Sequence, residues 1–170
     1  INNSSHEILP KLGNLKALYL DSTTLKSFIY ISELPIEKLS LYGRQPSDTL
    51  ELEKLTGLKE IHIKNNSNWI DFRFLSKLDN LERIKLSYCA KIEYVPSLDE
   101  LTRLKCIELS NCNRLIDIQA LWKLGKGCSV LATGKQLSKE RLAYQFDKDT
   151  GISDWCKEYS VNIPDDILNR

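Results

Sequence analysis

The feature that most constrains the fold is a leucine pattern that returns every 21 to 23 residues. The pattern is LxxLxxLxL, with isoleucine also used at its last two apolar positions. It occupies residues 12–20, 55–63, 78–86 and 101–109. A degraded copy ends at Leu39-Ser-Leu41, and another begins at Leu121 and closes at Val130-Leu-Ala132. Six copies in one register predict a solenoid, in which each repeat buries its apolar residues against its neighbours.

The end of each copy predicts a β-strand. In LxL the two apolar residues flank one that points the other way, so Leu18 and Leu20 face the core while Tyr19 faces out. The predicted strands are 17–21, 38–42, 60–64, 83–87, 106–110 and 129–133. Stacked repeats place these strands side by side in a parallel sheet, at a spacing of about 4.8 Å. A return leg of about a dozen residues leaves room for short 3-10 turns only.

The fullest copy, residues 101–118, resembles the leucine-rich repeat family, and the resemblance covers roughly residues 8–134. The repeat length is similar to the short-repeat classes, such as bacterial internalins and phosphatase-regulator-type proteins. The resemblance implies an α/β solenoid: a curved, right-handed coil with about six parallel strands, 3-10 turns on its convex side and a helical C-terminal cap.

The family usually has asparagine five positions after the first apolar strand residue. This slot holds Thr23, Arg44, Asn66, Cys89, Cys112 and Lys135. Asn66 fits the family, and the two cysteines are its usual small substitutes. A buried polar side chain here is expected to satisfy backbone groups of the turn. Arg44 departs from the pattern and predicts an irregular second turn.

The C-terminal segment behaves differently, because the leucine pattern stops near Gly134. Ser138 is placed to cap a helix, and an open-ended solenoid needs a cover with a polar outer face. We therefore divide the chain into a repeat solenoid at 1–134 and a helical cap of the same domain at 135–170. A partner-binding tail anchored by Trp155 and Tyr159 is the alternative.

The cysteines favour a reducing compartment. Five cysteines form an odd set, and Cys106 is predicted on the exposed face of its strand. Cys89 and Cys112 occupy equivalent positions of adjacent repeats, within disulfide reach, but we expect two buried, reduced thiols. These features favour a cytoplasmic location, with a signal peptide removed upstream of Ile1 as an open alternative.

Several function classes find little support in the sequence. The chain has 24 basic and 23 acidic residues, with no concentrated basic stretch, which argues against nucleic acid as a partner. No apolar run is long enough for a membrane helix. His62 lacks a companion nucleophile, and it lies far from His6, so neither catalysis nor a metal site is expected. We predict no enzyme activity, no cofactor and no small-molecule substrate.

The exposed strand positions form three columns across the predicted sheet. These are Ala17, Lys38, Glu60, Arg83, Cys106 and Ser129; Tyr19, Ser40, His62, Lys85, Glu108 and Leu131; and Asp21, Tyr42, Lys64, Ser87, Ser110 and Thr133. Aromatic residues and mixed charges are typical of a protein-binding face. The predicted protein-binding residues are Tyr19, Tyr42, His62, Lys64, Arg83, Lys85, Tyr88 and Glu108. A plainer interpretation is that they only keep an open sheet soluble.

These observations predict a non-catalytic protein–protein interaction module that binds a protein on its concave sheet. Among bacterial short-repeat proteins, such a module could be a cytosolic inhibitor, for instance a toxin-immunity protein. The alternative is the substrate-recognition arm of a larger secreted effector or multidomain enzyme.

Overall fold

A computed structural model describes residues 11–22, 25–115, 120–121, 124 and 128–133. Several of the predictions fall outside these residues. They are the helical cap at 135–170, the tail anchors Trp155 and Tyr159, and the slots Thr23 and Lys135. Within the described residues, no helix is long and apolar enough to cross a membrane.

Six strands form one parallel sheet, in the order in which they follow one another along the chain. They are β1 (Ala17–Asp21), β2 (Lys38–Tyr42), β3 (Glu60–Lys64), β4 (Arg83–Ser87), β5 (Cys106–Ser110) and β6 (Ser129–Thr133). Each strand has the bounds predicted from the LxL pairs. The register is also as predicted, since Leu39 lies opposite Ile61 and Ile61 lies opposite Ile84.

Short 3-10 helices occupy the first three return segments, as expected from their length. They are η1 (Phe28–Tyr30), η2 (Thr49–Lys54) and η3 (Arg73–Lys77). Asp48 ties the first return segment to the second. Its Oδ2 accepts hydrogen bonds from Ser27 Oγ at 2.5 Å and from the Phe28 backbone N–H at 3.0 Å. Neighbouring repeats are thus joined through polar contacts as well as through apolar packing.

The hydrophobic core lies between the sheet and the return segments. The inward residues of β2–β5 are all buried, and Leu18 of β1 is partly buried against the same cluster. An aromatic cluster fills the return side: the Trp69 ring centroid lies 5.7 Å from that of Phe28 and 5.8 Å from those of Phe72 and Phe74. The Trp69 indole also donates a hydrogen bond to the Pro46 carbonyl at 2.6 Å. The inward strand residues and the bulky side chains of the return segments therefore form one buried core.

The turns after the first five strands share one backbone conformation. The residue that follows each strand has a positive φ: Ser22, Gly43, Asn65, Tyr88 and Asn111. The second turn uses glycine, and a Cβ at Gly43 would lie 2.5 Å from Ser22 Oγ, so a larger residue would require Ser22 to move. The left-handed residue lets the chain leave the sheet abruptly and enter its return segment.

The polar slot behaves as predicted at Asn66. The side chain is buried, and its Oδ1 accepts hydrogen bonds from the backbone N–H groups of Asn68 at 3.2 Å and Trp69 at 2.9 Å. The buried thiols of Cys89 and Cys112 lie 3.7 Å from the carbonyl oxygens of Ile63 and Leu86, on the preceding strands. Both cysteines are free, as expected.

The second turn is irregular, as the departure at Arg44 predicts, but the residue that fills its slot was missed. Arg44 is exposed, whereas Gln45 is buried. Gln45 Nε2 donates to the Leu20 carbonyl at 3.4 Å and to the Tyr42 carbonyl at 2.7 Å. Leu20 occupies the same strand position as Ile63 and Leu86. Gln45 thus contacts the carbonyl of the preceding strand, as Cys89 and Cys112 do in their turns. The residue that makes this contact therefore comes one position later in the second turn than in the turns of Cys89 and Cys112.

Candidate functional site

The outward strand positions form an accessible surface, which we call the open face. It comprises the first, third and fifth residues of β1–β5. All of these residues are exposed or half-buried except Ser87, which is buried and accepts a hydrogen bond from Ser110 Oγ at 2.9 Å. The strand register aligns them in the three predicted columns. Parallel sheets are usually covered on both faces, so this exposure is a property that needs an explanation.

Three rings from successive strands form an aromatic row on the open face: Tyr19, Tyr42 and His62. The Tyr19 and Tyr42 centroids lie 4.8 Å apart with edge-to-face geometry, and those of Tyr42 and His62 lie 4.9 Å apart. The Tyr42 hydroxyl forms a 2.9 Å hydrogen bond with His62 Nδ1. These contacts hold the rings in fixed relative positions, while Tyr19 remains 56% exposed.

Charged side chains surround the aromatic row, and most are paired across the strands. Lys38 pairs with Glu60 at 3.0 Å, and Lys85 pairs with Glu108 at 2.6 Å. In the described part of the chain, Lys64 and Arg83 form no ion pair, although Lys64 Nζ lies 5.5 Å from the centre of the Tyr42 ring. The surface near His62 therefore carries an excess of positive charge.

His62 lies at the centre of this surface. Burial lowers the pKa of its imidazole below the ordinary value, and the nearby cations Lys85 and Lys64 lower it further. Burial and the two cations therefore favour the neutral form of the ring. Its Nε2 atom is buried and has no hydrogen-bond partner among the residues that the structure describes. A buried polar atom without a partner costs free energy, so Nε2 is a feature of functional interest.

The structure brings most of the predicted site residues together. Tyr42 contacts Tyr19 and His62 and has Lys64 near its ring, and Arg83 lines the same small pocket as His62. Lys85 and Glu108 neutralise each other. Tyr88 stands apart: it occupies the left-handed position after β4 and is exposed. The predicted residues thus divide into a connected group and one outlying tyrosine.

The hydrogen-bond partner of His62 differs from that of a typical catalytic histidine. The Nδ1 partner is the Tyr42 hydroxyl, whereas a histidine acting as a general base is usually oriented by a carboxylate and faces a nucleophile. Among the described residues, no group of three His, Cys, Asp or Glu side chains could hold a metal ion.

A second surface feature was missed by sequence reasoning. The return segments border a groove of about 690 Å³, whose lining includes Leu50, Arg73, Lys77 and Tyr94. Leu50 is 72% exposed. Arg73 is held by Asp71 at 2.6 Å. Apolar residues outside the leucine pattern, such as Leu50, could have indicated this groove in the sequence. The groove is the alternative candidate site to the open face.

Comparison of the chain with protein-family models and with curated proteins found no match.

Proposed function

We propose that this chain is a leucine-rich repeat solenoid that acts as a non-catalytic protein-binding module, with the open face as its concave binding surface. The observation that carries the proposal is the aromatic row on an accessible parallel sheet. Tyr19, Tyr42 and His62 present rigid aromatic area to solvent, and their exposure contributes nothing to the packing of the core.

The chemistry of the open face favours a protein partner. Tyrosine supplies large contact area at low cost in conformational entropy, and aromatic residues with arginine dominate the energetics of protein interfaces. Lys64 and Arg83 add two cations that lack ion-pair partners in the described chain. A partner surface that combines apolar groups with acidic side chains would complement both features.

The proposed role is inhibition by occupancy: a cytoplasmic inhibitor such as a bacterial toxin-immunity protein. The cytoplasmic location rests on the half-buried free thiol of Cys106 and on the other free cysteines of the described chain. The alternative role, a substrate-recognition arm of a larger effector or enzyme, would use the same surface. The identity of the captured partner, a toxin or an effector substrate, separates the two.

Affinity capture from the native host with paired bait variants tests the proposal. The open-face variant carries Tyr19→Ala and Lys64→Ala. Its matched control carries Tyr94→Ala and Lys77→Ala in the return-side groove, so that both lose one tyrosine and one lysine. The proposal requires a protein that wild type and the control capture and the open-face variant loses. A protein lost only by the groove variant would contradict it.

A further inference from the structure

A small pocket opens on the open face between β2, β3 and β4. Its volume is about 240 Å³. The polar side chains that line it are those of Lys38, Ser40, Glu60, His62, Arg83 and Lys85. It is too small for a drug-sized ligand, which needs a pocket of roughly 300–1,000 Å³. The volume instead suits the end of one side chain.

The hydrogen-bonding state of His62 indicates which kind of group the pocket receives. In a neutral imidazole one nitrogen donates and the other accepts. When the Tyr42 hydroxyl donates to Nδ1, the proton resides on Nε2, which becomes a buried donor without an acceptor in the described chain. A hydrogen-bond acceptor that enters the pocket and displaces the groups covering Nε2 would satisfy it. For this tautomer, the missing group is an acceptor rather than a donor.

The charges around the pocket specify that acceptor further. Of the described cations that line the pocket, Lys38 pairs with Glu60 and Lys85 pairs with Glu108, whereas Arg83 forms no ion pair. A single negative charge balances this arrangement, and a second negative charge would add to the repulsion from the carboxylate of Glu60 in the pocket wall. The planar guanidinium also matches a carboxylate in a two-point hydrogen bond.

We infer that the pocket receives the side-chain carboxylate of an aspartate or glutamate from the protein partner, with Arg83 as its counter-ion and His62 Nε2 as a second donor. This inference rests on the proposed function, since it names the chemistry by which the open face recognises its partner. The adjoining tyrosines of the aromatic row would then contact the apolar surroundings of that acidic residue.

The inference predicts a change in His62 that a purely structural role would not produce. The charged groups near the ring are Lys64 on its own strand, Lys38 and Glu60 beside the pocket, Arg83 and Lys85 on β4, and Glu108 on β5. In the free protein, burial and the cations Lys85 and Lys64 keep the pKa of His62 low. A bound carboxylate opposes these cations and stabilises the imidazolium, so binding raises the pKa of His62. Binding consequently tightens as the pH falls through the interval between the free and bound pKa values.

Nuclear magnetic resonance of protein labelled with ¹⁵N-histidine tests this directly, because the chain has only two histidines, His6 and His62. The probe is N-acetyl-glutamate α-methylamide at millimolar concentrations, and its glutamine analogue is the matched neutral control. We expect a saturable shift of the His62 ring signals and a raised His62 pKa with the glutamate probe only. Arg83→Gln should weaken the response about tenfold, the equivalent of one charge-assisted hydrogen bond. Arg44→Gln, which removes an exposed arginine at the turn after β2, should leave it unchanged.

Equal responses to both probes, or no saturable response, would overturn the inference. So would a response that Arg83→Gln leaves intact. In the capture experiment, an Arg83→Gln bait should recover less partner, and full recovery would show that the pocket does not receive a partner carboxylate. Failure of the inference can be distinguished from failure of the proposed function. If the glutamate probe gives no response but the Tyr19→Ala, Lys64→Ala bait loses its partner, the inference fails and open-face binding is still supported. Capture lost only by the groove variant refutes the proposed function, and the inference with it.

Discussion

The two faces of the same sheet have different surroundings, and β3 illustrates the difference. Ile61 and Ile63 point inward and are buried among apolar side chains of the adjacent strands and return segments. Glu60, His62 and Lys64 alternate with them and face out, where they contact polar and aromatic neighbours. Because successive strand residues point to opposite faces, the core and the outer surface can change independently at neighbouring positions.

The largest expected effect comes from placing a charge on the inward face. Leu86 and Leu109 are both 0% exposed. Leu86→Asp or Leu109→Asp should destabilise the fold by about 4 kcal/mol or more, since a buried carboxylate has neither water nor a partner. Thermal melting followed by circular dichroism measures this. Tyr88→Asp is the control, because Tyr88 is exposed and aspartate tolerates its positive φ. A wild-type melting temperature for Leu86→Asp would show that the inward assignment is wrong.

A smaller loss is expected at the polar slots behind the sheet. Asn66→Ala removes the acceptor for the N–H groups of Asn68 and Trp69, and should cost about 1–3 kcal/mol. Gln45→Ala should fall in the same range, because the Leu20 and Tyr42 carbonyls lose their donor. Arg44→Ala provides the comparison, with a change near zero. Urea unfolding of the three variants decides the matter, and equal effects of Arg44 and Gln45 would refute the one-residue shift.

Thiol reactivity should also separate the two faces. Cys89 is buried, and its hydrogen bond with Cys112, together with burial, raises the pKa of its thiol far above the ordinary value. Cys106 is half-buried on the open face, and its pKa is raised mainly by burial. Both thiols are poorly ionised at neutral pH, but only Cys106 is accessible. Labelling of the native protein with iodoacetamide and peptide mapping should therefore find Cys106 modified well before Cys89. Modification of Cys89 before Cys106 would contradict the placement of Cys89 in the buried polar slot.

The smallest effects on stability are expected on the open face. Arg83→Gln should change the free energy of unfolding by no more than about 0.5 kcal/mol, because Arg83 is exposed and forms no ion pair with a described residue. Lys85→Glu should cost about 1 kcal/mol, since it replaces an ion pair with two carboxylates on directly opposed residues. Chemical unfolding of both variants tests this ranking. A larger loss from Arg83→Gln would assign that residue a structural duty.

The sequence was sufficient for the sheet and less so for the site. Apolar spacing alone placed all six strands and the columns of the open face, because each LxL pair can be buried in one register only. The sequence did not predict that Gln45, rather than Arg44, fills the polar slot of the second turn, since this depends on how that turn folds. The Tyr42–His62 bond was not predictable either, because it joins diagonal rather than directly opposed positions and depends on side-chain rotamers.

The central claim is that partner binding resides on the outward residues of the sheet. Calorimetric titration of the captured partner with the two matched variants tests it most directly. We predict that Tyr19→Ala with Lys64→Ala weakens the affinity about thirtyfold or more, as expected for a hot spot of about 2 kcal/mol, while Tyr94→Ala with Lys77→Ala changes it less than about twofold. Wild-type affinity for the open-face variant, at an unchanged melting temperature, would contradict the claim.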